Sequence, residues 1–276
     1  MTKRTSSAVG VLAVAVAAVA FLSVPAGAAT IYWDGSTDAT WDQGDNWSGG
    51  NEPGIGDDVT FPTPVPGTGG TITLTAGELA NSLTFNDTYT LAAGGSLYLG
   101  SYGVTDAGKI SVATGKIATI SSPLYGNGVT QGVSGVTKAG TGTLVLGGEG
   151  PTFIGGITVS EGKLDTGSIG NSLGNNRITL DSGTTLSWTR DSVAHYSREV
   201  DGAGTIFAAG NSDMVWNVQS LENATWSGGA TSGRFSANKY GPATWTVTGT
   251  LTVSRGLKTG SFVQGGEYVI AGKILS

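Results

Sequence analysis

The stretch Ile157-Thr-Val159-Ser-Glu-Gly162-Lys-Leu164 contains the phrase that decides the fold of this chain. Apolar residues alternate with polar ones, a glycine follows, and another apolar residue lies two positions after the glycine. Strict alternation predicts a β-strand with one buried face, and glycine permits the positive φ of a tight corner. Related phrases recur along the chain and begin at Ile72, Tyr89, Ile110, Ile178, Trp245 and Tyr268.

The spacing of these phrases predicts the architecture. Their starting positions are separated by 17, 21, 47, 21, 67 and 23 residues. The two long steps are close to two and three times a period of roughly 22 residues, a period typical of solenoids. Weaker copies at Val200–Gly204 and Thr225–Gly228 fall within the 67-residue step. We therefore predict an all-β fold, a parallel β-helix (β-solenoid) with about 21–23 residues per coil.

The composition agrees with an all-β chain and excludes several classes of function. The sequence has 47 Gly, only 12% charged residues and a net charge of −6. Nucleic-acid binding and electrostatic attachment to anionic lipid both need basic surfaces, so neither is expected. The chain has no Cys, which excludes thiol catalysis, cysteine–zinc sites and thiol redox chemistry. We predict no cofactor.

Residues 1–29 have the pattern of a secretory signal peptide. Lys3 and Arg4 precede the apolar run 8–24, and small residues ending at Ala28 or Ala29 offer a cleavage site. The alternative is a membrane anchor, for which this run is slightly short. Removal of residues 1–29 leaves 12 basic and 20 acidic residues, a net charge of −8. The mature protein is expected to be secreted or displayed at the cell surface, without a transmembrane segment.

Residues 30–61 differ from the rest because they are rich in Trp and Asp. Three hypotheses apply: a cap that covers the first coil, a carbohydrate-binding platform of exposed indoles, and a Ca²⁺ site. We favour the cap, followed by a Pro- and Gly-rich connector at 62–70 and solenoid repeats over 71–276. The platform would use Trp33, Trp41 and Trp47. The calcium hypothesis rests on Asp34, Asp38, Asp42, Asp45, Asp57 and Asp58.

Residues 136–164 read VTKAGTGTLVLGGEGPTFIGGITVSEGKL. This stretch resembles the autotransporter-associated β-strand repeat, also called the passenger-associated transport repeat. The resemblance rests on Thr137, Lys138, Gly140, Gly142, Thr143, Leu144, Leu146 and Gly147, and then on Phe153, Gly155, Gly156, Thr158, Val159, Gly162 and Leu164. It implies a right-handed β-helix on an exported bacterial protein, with roles in passenger export and surface display. It carries no catalytic residues.

The resemblance also suggests partners. An outer-membrane translocation partner and a surface polysaccharide are the two that we expect. Autotransporters end in a membrane domain, whereas the last phrase here ends at Ile274, two residues before Ser276. We expect either a released protein or part of a longer chain.

One region has the mixed chemistry that an enzyme would need. Residues 188–201 include Asp191, His195 and Arg198, and His195 is the only histidine of the chain. A single histidine excludes a multi-histidine metal site. A loop between coils explains such residues, and a binding or catalytic groove is the alternative. The leading hypothesis is therefore a non-catalytic rigid spacer or adhesin. The runner-up is a carbohydrate-active β-helix, either a polysaccharide binder or a lyase or hydrolase.

Overall fold

The computed structural model describes residues 28–275 apart from several short segments. These segments, together with the two ends of the chain, are 1–27, 65–69, 102, 127–134, 149–152, 154, 168–172, 189–193, 209–213, 220, 233–234, 254–262, 265–266 and 276. The described part is all-β, with one short 3₁₀ turn at Gly44–Asn46. None of its helical structure is long and apolar enough to cross a membrane. The predicted signal peptide lies almost wholly outside the described residues.

Four parallel sheets form the walls of the molecule. Sheet I has eleven strands: β1 (Thr30–Tyr32), β2 (Asp58–Phe61), β5 (Ser82–Phe85), β8 (Lys109–Val112), β11 (Val136–Ala139), β13 (Ile157–Val159), β15 (Ile178–Leu180), β18 (Val200–Gly202), β21 (Ala224–Trp226), β24 (Thr244–Val247) and β27 (Glu267–Ile270). Sheet II has ten: β3 (Thr71–Thr73), β6 (Tyr89–Ala92), β9 (Ile117–Ile120), β12 (Thr143–Leu146), β14 (Lys163–Asp165), β16 (Thr185–Trp188), β19 (Thr205–Ala208), β22 (Ala230–Ser232), β25 (Leu251–Val253) and β28 (Ile274–Leu275). Sheet III contains β4 (Gly77–Ala80), β7 (Ser96–Leu99) and β10 (Leu124–Gly126). Sheet IV contains β17 (Ala194–Ser197), β20 (Met214–Gln219), β23 (Phe235–Tyr240) and β26 (Val263–Gln264).

The pairing confirms the predicted β-solenoid. Every pairing between these strands is parallel, and each strand pairs with the equivalent strand of the next coil. Ile157 pairs with Ile178, and Ile178 pairs with Val200, which are steps of 21 and 22 residues. The weak copies at Val200–Gly204 and Thr225–Gly228 supply β18 and most of β21. The chain therefore has the predicted coil length in this region.

The structure differs from the prediction in where the first two phrases lie. The phrases at Ile72 and Tyr89 begin in β3 and β6 of sheet II, whereas the phrase at Ile110 lies in β8 of sheet I. The step from Tyr89 to Ile110 therefore moves to another wall and does not complete one coil. The phrase encodes a strand, a glycine corner and a second strand. This local structure occurs at more than one corner of a coil, so the phrase alone does not fix the wall on which it lies.

Alternation along each strand builds a continuous apolar core. In β8, Ile110 and Val112 are buried while Lys109 and Ser111 are half-buried, and β13 buries Ile157 and Val159 in the same way. Parallel pairing stacks the inward residues of successive coils, so the core continues from coil to coil.

The N-terminal segment covers the first coil. β1 pairs with β2 at the end of sheet I, and Thr40 makes a parallel bridge to Thr73 at the end of sheet II. Trp47 lies 4.9 Å from Trp33 and 4.7 Å from Trp41, measured between ring centroids. This arrangement fits the cap hypothesis, because the segment occupies sheet edges that would otherwise be open.

Lys138 has a buried structural role that the repeat pattern does not reveal. Its side chain points into the core from β11, is 0% exposed, and lies in register between Ile110 and Val159. The ammonium donates hydrogen bonds to the carbonyl oxygens of Ala139, Gly140 and Glu161, at 2.9, 2.6 and 3.0 Å. Burial lowers the pKa of Lys138 to about 8. Lys138 therefore ties its own corner to the next coil.

A second buried lysine makes the same kind of contact later in the chain. Lys239 is also buried, and its ammonium donates a hydrogen bond to the carbonyl oxygen of Gly241 at 2.5 Å. The sequence Lys239-Tyr-Gly241-Pro-Ala-Thr244 corresponds to Lys138-Ala-Gly140-Thr-Gly-Thr143. The first copy joins sheet I to sheet II, whereas the second joins sheet IV to sheet I. The motif thus serves two different corners.

Replacing Lys138 by Met is expected to lower the free energy of unfolding by about 2 kcal/mol, because three carbonyls lose a charged donor. Met retains the apolar length of the side chain. The matched control is Lys109→Met, since the Lys109 side chain is 40% exposed and, among the described residues, forms an ion pair only with Asp106, at 3.4 Å. Its expected effect is below about 0.5 kcal/mol. Equal denaturation midpoints for the two variants would contradict the role given to Lys138.

Candidate functional site

The three tryptophans of the predicted carbohydrate platform are buried. Trp33, Trp41 and Trp47 are 1, 0 and 1% exposed. Their rings pack edge to face on one another, and those of Trp41 and Trp47 also lie 6.1 Å from the ring of Phe61. A sugar ring can stack only on an exposed aromatic face, and these buried rings do not present one. Packing over the first coil, rather than ligand binding, accounts for them.

The aspartates of the same segment accept hydrogen bonds from neighbouring protein groups. Asp34 accepts one from the amide of Ser36, Asp38 from Thr40 and Asn46, and Asp58 from Asn81 and Ser82. The hydrogen bond from the Thr40 hydroxyl is the main cause of the lowered pKa of Asp38. In the part of the chain that the structure describes, no three acidic or histidine side chains lie together as metal ligands. Asp34 and Asp38 therefore hold turns of the cap, whereas Asp58 joins β2 to the start of β5 in the next coil. These contacts are structural and give no support to the calcium hypothesis.

The predicted enzymatic candidates are only partly described. Asp191 lies outside the described residues, and His195 is described by its backbone alone, in β17 of sheet IV. Arg198 is described, and it lies at the corner between β17 and β18 with a quarter of its side chain exposed. The three residues are therefore not shown to form a common site.

Arg198 belongs to a different group of charges, which we call the corner cluster: Arg177, Arg198, Glu199, Asp201 and Glu222. Arg177 forms ion pairs with the carboxylates of Asp201 and Glu222, the second at 2.8 Å. Arg198 lies 3.4 Å from Glu199 and 3.9 Å from Glu222, measured between charged atoms. The hydrogen bond to Asp201 is the main cause of the raised pKa of Arg177. Three carboxylates thus share two guanidinium groups.

Parallel register explains why these charges meet. Ile178 pairs with Val200, which places Arg177 beside Glu199 at the start of successive strands of sheet I. Glu199 is fully buried, and its carboxylate accepts hydrogen bonds from the backbone amides of Leu221 and Glu222. The cluster closes the corner between sheets IV and I across three coils. A general acid or base must reach a substrate proton, whereas these carboxylates are held by arginines and amides.

A groove lies beside the corner cluster on the outer face of sheet I. It is open to solvent, has a volume of about 510 Å³ and crosses three successive strands, β18, β21 and β24. Its lining is polar or small: Asp201, Gly202, Asn223, Ala224, Thr225, Thr244 and Thr246. Asn223 accepts a hydrogen bond from the amide of Thr244 at 2.8 Å, which fixes one side of the groove. Its size and polar lining make this groove a candidate binding site.

The sequence prediction did not select the groove residues, although a signal was present. Asp201 lies in the region 188–201, but Thr225 and Thr246 follow it by 24 and 45 residues. Both separations are close to multiples of the coil length. Adding one coil length to the position of each polar outward residue aligns these three side chains from the sequence alone.

Comparisons with protein-family models, with curated proteins and with solved structures found no match to this chain.

Proposed function

We propose that this chain is an exported, non-catalytic β-solenoid that serves as a rigid spacer or adhesive module at a bacterial surface. The observation that carries the proposal is the continuous stack of eleven strands in sheet I, covered at one end by the tryptophan segment. At about 4.8 Å between neighbouring strands, such a stack extends roughly 48 Å. A solenoid of this kind is stiff because each coil is paired along all its strands with the next.

Export is supported by sequence features. Residues 1–29 have the pattern of a signal peptide, and residues 136–164 resemble the autotransporter-associated repeat. The absence of cysteine suits a chain whose stability comes from stacked coils rather than disulfides. Under this proposal the mature protein is secreted or surface-displayed, and its partners are the translocation machinery and surface polysaccharides.

The test is an assay of the mature protein, residues 30–276, against a panel of plant and algal polysaccharides. We expect no release of reducing or unsaturated ends above the level of buffer alone. Turnover by the wild-type chain that disappears in Asp191→Ala or Arg198→Ala would overturn the proposal. It would establish the runner-up instead, a polysaccharide lyase or hydrolase that uses the region 188–201.

A further inference from the structure

The groove on sheet I has a regular chemical pattern along the solenoid axis. Thr225 pairs in register with Thr246, and Gly202 pairs with Trp226, which places Asp201 beside Thr225. These three side chains therefore point outward from consecutive strands, about 4.8 Å apart. Each carries an oxygen that can accept a hydrogen bond, and the threonines can also donate one.

The threonine hydroxyls of the groove are available to a ligand. Thr225 is exposed and Thr246 is half-buried. Within the described residues, no protein atom hydrogen-bonds to either hydroxyl, in contrast to Thr185 and Thr205, which face each other at 3.2 Å. Asn223 is exposed beside them and its amide nitrogen points toward no described acceptor, since only its oxygen is engaged. A hydroxyl-rich ligand would find both donors and acceptors here.

Charge indicates which hydroxyl-rich ligand fits. The corner cluster beside the groove has two arginines and three carboxylates, so its net charge is slightly negative and its arginines are already paired. The chain as a whole carries −6. An anionic polymer would meet no free cation among these residues and would be repelled by the protein as a whole. A neutral polymer meets no such penalty.

We propose that this groove binds a neutral polysaccharide, with the sugar chain parallel to the solenoid axis and its hydroxyls bonded to Asp201, Thr225 and Thr246. In an extended chain, successive sugar rings advance by a distance similar to the spacing of the strands. Consecutive rings would therefore meet equivalent outward side chains. The inference rests on the proposed surface function and names the ligand class of its adhesive face.

The probes are two neutral β-1,4-linked hexasaccharides, cellohexaose and xylohexaose, with hexagalacturonate as the anionic comparison. The test variant is Thr225→Val/Thr246→Val, which removes two groove hydroxyls without changing side-chain shape. The matched control is Thr231→Val/Thr252→Val. These two threonines pair in register on the outer face of sheet II, a different wall of the same coils, and do not line the groove. Dissociation constants are measured by calorimetry, and thermal unfolding verifies that both variants are folded.

We expect the wild-type chain to bind at least one neutral hexasaccharide, with little dependence on salt. The groove variant should bind it about tenfold more weakly, because each lost hydrogen bond weakens binding by about two- to tenfold. The control should bind like the wild type. Equal weakening in both variants, tighter binding of hexagalacturonate, or no binding of either neutral probe would overturn the inference. None of these results affects the non-catalytic proposal, which only cleavage of a polysaccharide would contradict.

Discussion

Replacing Gly162 by Ala is expected to destabilise the protein by about 4 kcal/mol, whereas the same change at Gly115 should cost only about 1 to 2 kcal/mol. Both glycines occupy the corner position of the repeated phrase, and both have positive φ, +65° and +72°. A residue other than glycine is strained in that conformation at either position. The two sites differ in what surrounds them.

A Cβ atom at Gly162 would lie 2.6 Å from the carbonyl oxygens of both Gly140 and Gly142, in the preceding coil. These are backbone atoms of the corner between β11 and β12, so they cannot move away without disturbing the coil. At Gly115, no described atom lies within 4 Å of the added Cβ. The free energies of unfolding of the two variants, measured by denaturant titration of the mature protein, give the comparison. Equal losses of unfolding free energy in the two variants would mean that the backbone of the preceding coil does not restrict side-chain size at Gly162.

Replacing Trp41 by Ala is expected to lower the free energy of unfolding by about 4 kcal/mol, because it empties a large volume at the centre of the cap. Trp41 is fully buried, its backbone amide donates to the carbonyl of Thr73 at 3.0 Å, and its own carbonyl accepts from the Trp47 indole at 2.6 Å. The side chain therefore packs where the cap joins sheet II. Thermal and denaturant unfolding of the mature protein measure the effect.

Trp41→Phe is the matched control. The Trp41 indole nitrogen is buried and has no hydrogen-bond partner in the part of the chain that the structure describes, so Phe loses ring volume but no such hydrogen bond. We expect a loss of about 1.5 kcal/mol, well below that of Ala. Binding of the neutral hexasaccharides should be unchanged in both variants, because the cap is at the opposite end of sheet I from the groove. Weaker glycan binding by folded Trp41→Phe would mean that the Trp41 indole contributes to ligand binding.

Much of the solenoid could be predicted from local pattern. Alternation in Ile157–Val159 and the glycine at 162 predict a strand and a corner, because side-chain direction and backbone freedom depend on neighbouring residues only. The wall on which a phrase lies could not be predicted in this way. Ile72 and Ile110 begin similar phrases but lie on different sheets, since the lengths of the intervening loops decide how far the chain has turned.

Prediction of the candidate site was limited in the same way, because its residues meet only through the pairing of coils. Asp191, His195 and Arg198 were selected because charged residues are scarce and these are close together in the sequence. The groove instead joins Asp201, Thr225 and Thr246, which are neighbours only through parallel pairing. The sequence favoured a cap but left exposure of the indoles open, because a tryptophan-rich segment has the same composition whether its rings face a sugar or the first coil. Burial of Trp33, Trp41 and Trp47 depends on how the segment folds back over β2.

By itself, then, the sequence determined an all-β chain that winds in coils of about 22 residues, because alternation and corner glycines act through local geometry. Tertiary structure alone decided which glycines tolerate a side chain, that Lys138 is buried against three carbonyls, and that a groove crosses β18, β21 and β24. These features arise from contacts between residues one or more coils apart. Their distances depend on the register between coils, which no short stretch of sequence contains.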